Sequence, residues 1–341
     1  MRPYEIGDEE IDRLIEELVT KAGGGQNADL VEEMIVTTLK LLRDEADRGD
    51  VKLANTALKE MRYPFRIFSR FKDVHKVSIF GSARTKPDSP DYKMAGDFAR
   101  LMTEDRNWMV ITGAGPGIME AGNEGAGREK SFGVNIRLPF EADANEHVLP
   151  DRLINFKYFF TRKLIFVKES HAFALFPGGF GTMDEAFEAL TLIQTGKSPM
   201  APIVLLESDG TGYWETWEAF VRDDLLGNGM ITVEDLGLFT HAHDIVEAAD
   251  VICDFYLNYH SQRYVDRKLV LRMLRGPDDA MLEVLNDEFS DIVVAGRIER
   301  VAGSPSELAD GDAPGLDRIS FEFNRRHFGR LRQLINKLNT L

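Results

Sequence analysis

Nine residues, Pro177-Gly178-Gly179-Phe180-Gly181-Thr182-Met183-Asp184-Glu185, directly follow the short apolar run Ala172-Phe173-Ala174-Leu175-Phe176. A run of that length, bounded by turn residues, reads as a strand buried on both faces of a parallel sheet. Beyond the glycines, Phe187, Leu190, Leu192 and Ile193 fall at helical spacing. Strand, glycine turn and helix in succession restrict the chain to an α/β arrangement in which backbone N–H groups meet a ligand at the end of a strand. The glycines permit positive φ and close approach of backbone to that ligand. Thr182 is placed to cap the helix and Glu185 to occupy its first turn. A phosphate bound there would meet the free N–H groups and the positive dipole end of the helix. A capped strand-to-helix turn would explain a glycine and a glutamate, but not three glycines, a threonine and a glutamate together.

A second glycine cluster has the same setting. Trp108-Met109-Val110-Ile111-Thr112 reads as a strand and leads into Gly113-Ala114-Gly115-Pro116-Gly117-Ile118-Met119-Glu120-Ala121. The spacing is neither the dinucleotide fingerprint G-x-G-x-x-G nor a Walker A loop. The next strand, Phe132 to Ile136, runs into Arg137, where an NAD site would place a ribose-binding acid. NAD binding and ATP hydrolysis therefore recede, and a mononucleotide is the natural ligand. A third turn, with Gly81, Ser82 and Arg84, follows the strand Val77 to Phe80 and would lie beside the others in a doubly wound sheet, where ligands bind at the carboxyl ends of strands. Ser82 reads as a ligand contact or cap, since no G-x-S-x-G elbow surrounds it.

Phe80-Gly81-Ser82, Gly-x-Gly-Pro-Gly-Ile-Met-Glu-Ala, Phe160-Thr161-Arg162-Lys163 and Pro-Gly-Gly-Phe-Gly-Thr-Met-Asp-Glu occur here in the order found in the LOG ("lonely guy") family of nucleotide phosphoribohydrolases, often mislabelled lysine decarboxylases. The resemblance covers residues 73–258. Leu192-Ile193-Gln194-Thr195-Gly196-Lys197, with Gly-Pro-Gly-Ile-Met-Glu-Ala, looks more like the longer bacterial members than the short plant-type ones. The resemblance implies hydrolysis of a nucleoside 5′-monophosphate to a free base and ribose 5-phosphate, with Arg162 and Glu185 as the catalytic pair. It also implies that Gly178, Gly179, Gly181 and Thr182 hold the phosphate, that Gly113, Gly115 and Glu120 line the nucleotide pocket, and that the protein is a homodimer with sites completed across the interface. Ala114 departs from the pattern, because short members commonly carry a third glycine there.

That chemistry suits the two residues. Cleaving the bond between C1′ and a base nitrogen builds positive charge on the sugar and negative charge on the departing base. Glu185 would stabilise the oxocarbenium-like sugar or take a proton from the attacking water. Arg162, always charged, is a poor proton donor and belongs to electrostatics and positioning. Anchoring the remote 5′-phosphate would help hold C1′ near Glu185.

The formal net charge of −16 disfavours generic nucleic-acid binding, so an anionic substrate needs local cations, for which Arg84, Arg137, Arg162 and Lys163 are the candidates. No apolar run reaches the roughly 18 residues of a membrane span, and Met1-Arg2-Pro3-Tyr4 does not begin a signal peptide. With the single Cys253, a cytoplasmic protein is expected. His241 and His243 form an H-x-H pair without a third ligand at metal-site spacing, so no metal and no cofactor are assigned. His171 reads as a polar residue at a strand end.

The fold class expected is a Rossmann-like, doubly wound, mainly parallel α/β sheet in residues 73–258, with an N-terminal helical extension (1–72) and a C-terminal α+β extension (259–341). Helical stripes at Ile11 to Val19 and Leu30 to Leu42 flank a glycine-rich break at 22–27, and a third helix from Val51 to Met61 ends near Pro64, with Phe65 and Phe68 against the core. Strands are expected near 77–80, 108–112, 132–136, 172–176 and 202–206. Beyond 258 the pattern predicts helices at 262–274 and 278–287, a hairpin of 291–298 with 319–323, a mobile connection at 302–315, and a packed helix at 328–338. Two functions from different classes remain open at this level. One is the hydrolase, acting on AMP, GMP, a pyrimidine nucleotide or prenylated AMP (a cytokinin riboside monophosphate); the other is a nucleotide or molybdenum-cofactor carrier without turnover. Lysine decarboxylation is set aside, since nothing marks a lysine forming a Schiff base with pyridoxal phosphate.

Overall fold

The computed structural model describes residues 4–136, 144–305, 307, 311 and 313–341. The chain forms two compact units, Met1–Arg62 and Tyr63–Leu341. In the first, α1 (Glu9–Lys21) opens on Asp8, whose carboxylate accepts from the Glu10 and Ile11 N–H groups. α2 (Ala28–Arg43) follows the glycine-rich break, and Ile15, Val19 and Val36 are its buried contacts with α1. α3 (Arg48–Phe68) is longer than its apolar pattern implied, because it continues through Pro64 instead of stopping before it. The helix loses one hydrogen bond there. Its last turn is held by tertiary packing, with Ile67 and Phe68 buried and the Phe68 ring 4.7 Å from that of Phe132. Phe65, expected in the core, is instead largely exposed beneath the Lys168 ammonium.

The second unit is built on seven parallel strands in the order β4-β3-β2-β1-β5-β6-β7: β1 (Lys76–Phe80), β2 (Met109–Thr112), β3 (Ser131–Ile136), β4 (Leu153–Phe156), β5 (Ala172–Leu175), β6 (Ile203–Leu205) and β7 (Phe239–His241). The Rossmann-like α/β class is therefore observed. The chain winds outward from β1 to β4, then returns to place β5 beside β1 on its other edge, so the topological switch point lies between β1 and β5. β4 and β7 were not expected; both are short and at the sheet edges, where Leu153 and all of β7 are only partly buried, so their apolar signal is weak.

Period-2 alternation divides the strands between two cores. Val77, Ile79, Val110, Ala174 and Phe176 pack with α4 (Pro90–Glu104), α5 (Ile118–Ala126) and, further along, the helix Ile245–Asp254. Phe80, Ile111, Phe132, Phe173 and Leu175 face the other way, toward α6 (Phe159–Glu169), α7 (Phe180–Gln194) and the C-terminal residues. Among the described residues no helix is long and apolar enough to cross a membrane.

The C-terminal region adds a four-stranded antiparallel sheet in the order β10-β11-β9-β8: β8 (Tyr259–Val265), β9 (Lys268–Met273), β10 (Glu299–Arg300) and β11 (Asp317–Phe321). Here the sequence reading of 262–274 as a helix is corrected. That stretch is most of a hairpin turning at Asp266, at φ +54°, with Val265 paired to Lys268. Leu269, Leu271 and Met273 alternate into the core, which a strand achieves and a helix would not. The helix Asp279–Glu288 forms as expected. The proposed hairpin of 291–298 with 319–323 is reduced to one bridge, Val293 to Phe323, because β11 pairs chiefly with β9. The connection 302–315 lies partly outside the described residues, but Glu307 within it is anchored. Its carboxylate is almost fully buried and accepts from Arg272 Nη2 at 2.7 Å and Arg318 Nε at 3.3 Å. Burial would push this carboxyl up, but hydrogen bonds from Ser304 and the two arginines outweigh it and hold it at about 2. The final helix, Phe328–Leu338, buries Leu331, Leu334, Ile335 and Leu338.

Candidate functional site

The carboxyl ends of β1, β2, β3 and β5 open into one cleft of about 780 Å³. Gly81, Ser82 and Arg84 enter it from the turn after β1, Gly113 and Gly115 from the turn after β2, and Gly178, Gly179, Gly181, Thr182 and Glu185 from the turn and helix after β5. Arg162 comes from α6. The turns brace one another: the Ser82 N–H donates to the Pro177 carbonyl at 3.0 Å, and the Ile118 N–H donates to the Ser82 carbonyl at 3.1 Å.

Of the three glycines after β5, Gly178 is required for close approach, while a Cβ on Gly179 or Gly181 would meet nothing within 4 Å. Neither Gly178, Gly179 nor Gly181 has positive φ, contrary to the conformational role expected of them. A Cβ on Gly178 would sit 2.0 Å from Thr182 Oγ1 and 3.1 Å from the Ser82 nitrogen. Two further details of the turn differ from expectation. α7 begins at Phe180 with Gly179 as N-cap, so Thr182 lies inside the first turn as a buried residue and Glu185 falls in the second turn. The first N–H groups of the helix lie on the exposed Gly179–Gly181 backbone.

Arg162 is fixed from two sides. Its Nε donates to the Val134 carbonyl at 3.0 Å, and its guanidinium carbon stands 5.2 Å from the Phe166 ring centroid. Nη2 lies against the second glycine turn, since a Cβ on Gly113 would meet it at 2.9 Å. Glu185 lines the cleft with a side chain only 9% exposed. Burial raises its carboxyl above the ordinary range, while the positive charges of Lys163 and Arg162 pull it back. The arrangement offers a partly desolvated carboxylate, a fixed guanidinium and a row of helix N-terminal donors.

Two residues expected in the site are not on the cleft wall. Glu120 lies in the first turn of α5, and Lys163, next to Arg162, turns instead to α7, where its ammonium pairs with Asp184, Glu185 and Glu188. Arg137, expected as a substrate contact, lies outside the described residues. The cleft also contains residues that sequence reasoning passed over: Met119, Asn135, Phe159 and Phe180. Phe180 and Met119 stand inside the motifs themselves, where the sequence assigns them no role. Asn135, at the end of β3 and donating to Asn155 at 3.0 Å, had a usable signal as a polar residue in an otherwise apolar strand.

The other candidates resolve as structural. The Lys76 N–H donates to Nδ1 of His171 at 3.2 Å, beside the first residue of β5. His241 Nε2 lies 3.4 Å from Glu207, whose carboxylate also accepts from the Tyr213 and Trp214 N–H groups. Among the described residues, no group of three or more His, Cys, Asp or Glu side chains is placed to hold a metal ion.

Residues 116–252 match a protein family described as "possible lysine decarboxylase", and this supports the resemblance to the LOG family. No curated protein matches the chain. Among solved structures, the chain is similar to a structural-genomics target at 20% identity, covering 52% of this chain and 98% of that one, with a TM-score of 0.38. It is similar to a molybdenum cofactor binding protein from Rippkaea orientalis at 21% identity (53% and 94%, TM-score 0.37). A molybdenum cofactor carrier protein from Chlamydomonas reinhardtii stands at 20% identity (52% and 96%, TM-score 0.37).

Proposed function

We propose that this protein hydrolyses the N-glycosidic bond of a nucleoside 5′-monophosphate, releasing the free base and ribose 5-phosphate. The observation that carries the reading is that Arg162, Glu185 and the amino end of α7 line a single cleft. The 5′-phosphate would dock on the open N–H groups of Gly179 to Gly181, with Gly178 and Thr182 shaping the seat. The sugar and base would then extend toward Gly113, Gly115 and Arg162. Water adds at C1′ as the C1′–N bond breaks; the bond's electron pair leaves with the base nitrogen, which takes up a proton. Glu185, facing C1′, stabilises the positive sugar or accepts the water's proton, and Arg162 offsets the charge growing on the base.

Decarboxylation of lysine through a Schiff base fits poorly. Such a lysine needs a lowered pKa. No lysine is on the cleft wall among the described residues, and Lys163, the neighbour of Arg162, is held cationic by three carboxylates. A homodimer belongs to the same proposal, in keeping with Phe160, Leu164 and Phe180, which leave apolar surface exposed on α6 and at the cleft mouth.

The test is chromatographic release of base from AMP, GMP, pyrimidine nucleotides and N6-prenyl AMP, with the parent nucleosides alongside. Base should appear from monophosphates far faster than from nucleosides. Glu185→Gln should lower turnover at least ~10²-fold while nucleotide binding, read by calorimetry, is largely kept. Tight binding without release by the unaltered protein would favour a carrier, and normal turnover by Glu185→Gln would remove the mechanism.

A further inference from the structure

Arg162 and Lys163 are adjacent on α6, so their side chains leave the helix about 100° apart. Arg162 goes to the cleft; Lys163 crosses to α7. There its ammonium meets Glu188 Oε2 at 2.6 Å, Asp184 Oδ2 at 2.9 Å and Glu185 Oε2 at 3.3 Å. The contact to Glu188 is a hydrogen bond, and those to Asp184 and Glu185 are ion pairs around the same ammonium. The lysine side chain is 15% exposed and that of Glu185 is 9%, so this contact is shielded from water in a way that the Asp184 pair, with the aspartate 60% exposed, is not.

We propose that Lys163 is a positioning residue that fixes one oxygen of Glu185 and supplies its counter-charge, leaving the other oxygen to face the substrate. The proposal rests on the reading of Glu185 as the catalytic carboxylate. It also moves Lys163 from a substrate contact, as the sequence suggested, to a support for the catalytic residue. Three carboxylates converge within one turn of α7, at positions 184, 185 and 188, and repel one another unless a cation lies among them. The charged groups acting on Glu185 are Lys163 and Arg162 from α6 and Glu188 from its own helix. Of the two cations, Lys163 is the one in ion-pair contact with a Glu185 oxygen, at 3.3 Å, while Arg162 Nε donates to the Val134 carbonyl. Removing the lysine charge leaves Arg162 to act against burial and a like-charged neighbour, a balance shifted toward the protonated, inactive form of Glu185.

The test compares Lys163→Met, Lys163→Arg and Glu188→Gln with the unaltered protein. One readout needs no substrate: the carboxylate of Glu185 is titrated by carbon-13 NMR on glutamate-labelled protein, with Glu185→Gln to assign the signal. The other is the pH profile of base release. Lys163→Met should raise the Glu185 titration and the acid limb of kcat/KM together by about one pH unit or more, with kcat reduced more than KM is raised. Lys163→Arg should recover most of both. Glu188→Gln, which keeps the lysine and removes a like charge, should move the titration down, and Lys163→Gln, which removes the charge but keeps a polar side chain, replaces Lys163→Met in both readouts if that variant does not fold. An unmoved Glu185 titration, with activity lost equally at all pH or with only KM raised, overturns the proposal. Absence of turnover by the unaltered protein would instead defeat the hydrolase reading, and the titration would still judge the Lys163–Glu185 coupling.

Discussion

At the scale of single residues, the site depends on the lack of side-chain atoms as much as on the groups that are present. Gly113 is the sharpest case, because the atoms a Cβ would meet are Met119 Sδ at 2.6 Å and Arg162 Nη2 at 2.9 Å, both side-chain and not backbone atoms. Gly113→Ala should therefore change stability by less than about 1 kcal/mol in urea unfolding. It should nonetheless lower kcat/KM about 10²-fold by displacing the guanidinium. A variant with unchanged turnover would show that Arg162 does not need its observed place. Ala114, next in the chain, has φ +59°. Its N–H donates to Thr112 Oγ1 at 2.9 Å and its carbonyl accepts from the Asn145 N–H at 2.9 Å, so the local network holds a conformation that glycine adopts freely. That accounts for glycine being the commoner residue in the resembling motif. The residue types of the cleft were legible in the sequence because glycine turns and charged pairs survive as local patterns. The direction of Lys163 was not, since it depends on where α7 lies.

At the scale of elements, α4 and α5 illustrate how a close helix contact is set by two glycines with different duties. A Cβ on Gly125 would lie 2.0 Å from the Gly96 carbonyl oxygen, a backbone atom that cannot turn aside. A Cβ on Gly96 would meet only the Ala121 oxygen at 3.5 Å, an ordinary contact. Gly125→Ala should destabilise by about 3 kcal/mol, as overpacking does, whereas Gly96→Ala should be neutral or stabilise by up to about 1 kcal/mol through helix propensity. Thermal and denaturant unfolding of the two variants would separate them, and equal effects would contradict the packing described. The misread β8–β9 hairpin teaches the complementary point. Leu269, Leu271 and Met273 carry period-2 alternation, but Val270 between them is apolar too and Arg272 is also buried, so the alternation is blurred. Arg272 is paired in the interior with Glu307, far along the chain.

For the molecule as a whole, the end of the sheet marked by the start of β1 and β5 holds an acid-sensitive cluster of His75, His171 and Lys76, with Trp108 and Tyr256 packed on the histidine rings. Burial, with the positive potential of His75, Lys76 and His260, lowers His171 to about 3. That folded-state value lies below the unfolded value of 6.5, so the neutral form is the stabilising one. Its contribution is complete above about pH 6.5 and is lost as pH falls toward 3, at about 1.4 kcal/mol per pH unit. Unfolding free energies measured between pH 6.5 and 5 should decline accordingly, and less so in His171→Gln; parallel pH profiles would refute the assignment. The sequence by itself determined the α/β class, five of the seven parallel strands and the three turns that meet at the switch point. Those follow from apolar runs and glycines only a few residues apart. Tertiary structure alone decided the edge strands, the helix through Pro64, the C-terminal sheet and the partner of Lys163. Each of these depends on burial or charge supplied by residues distant in the chain, and a local pattern carries no record of such neighbours.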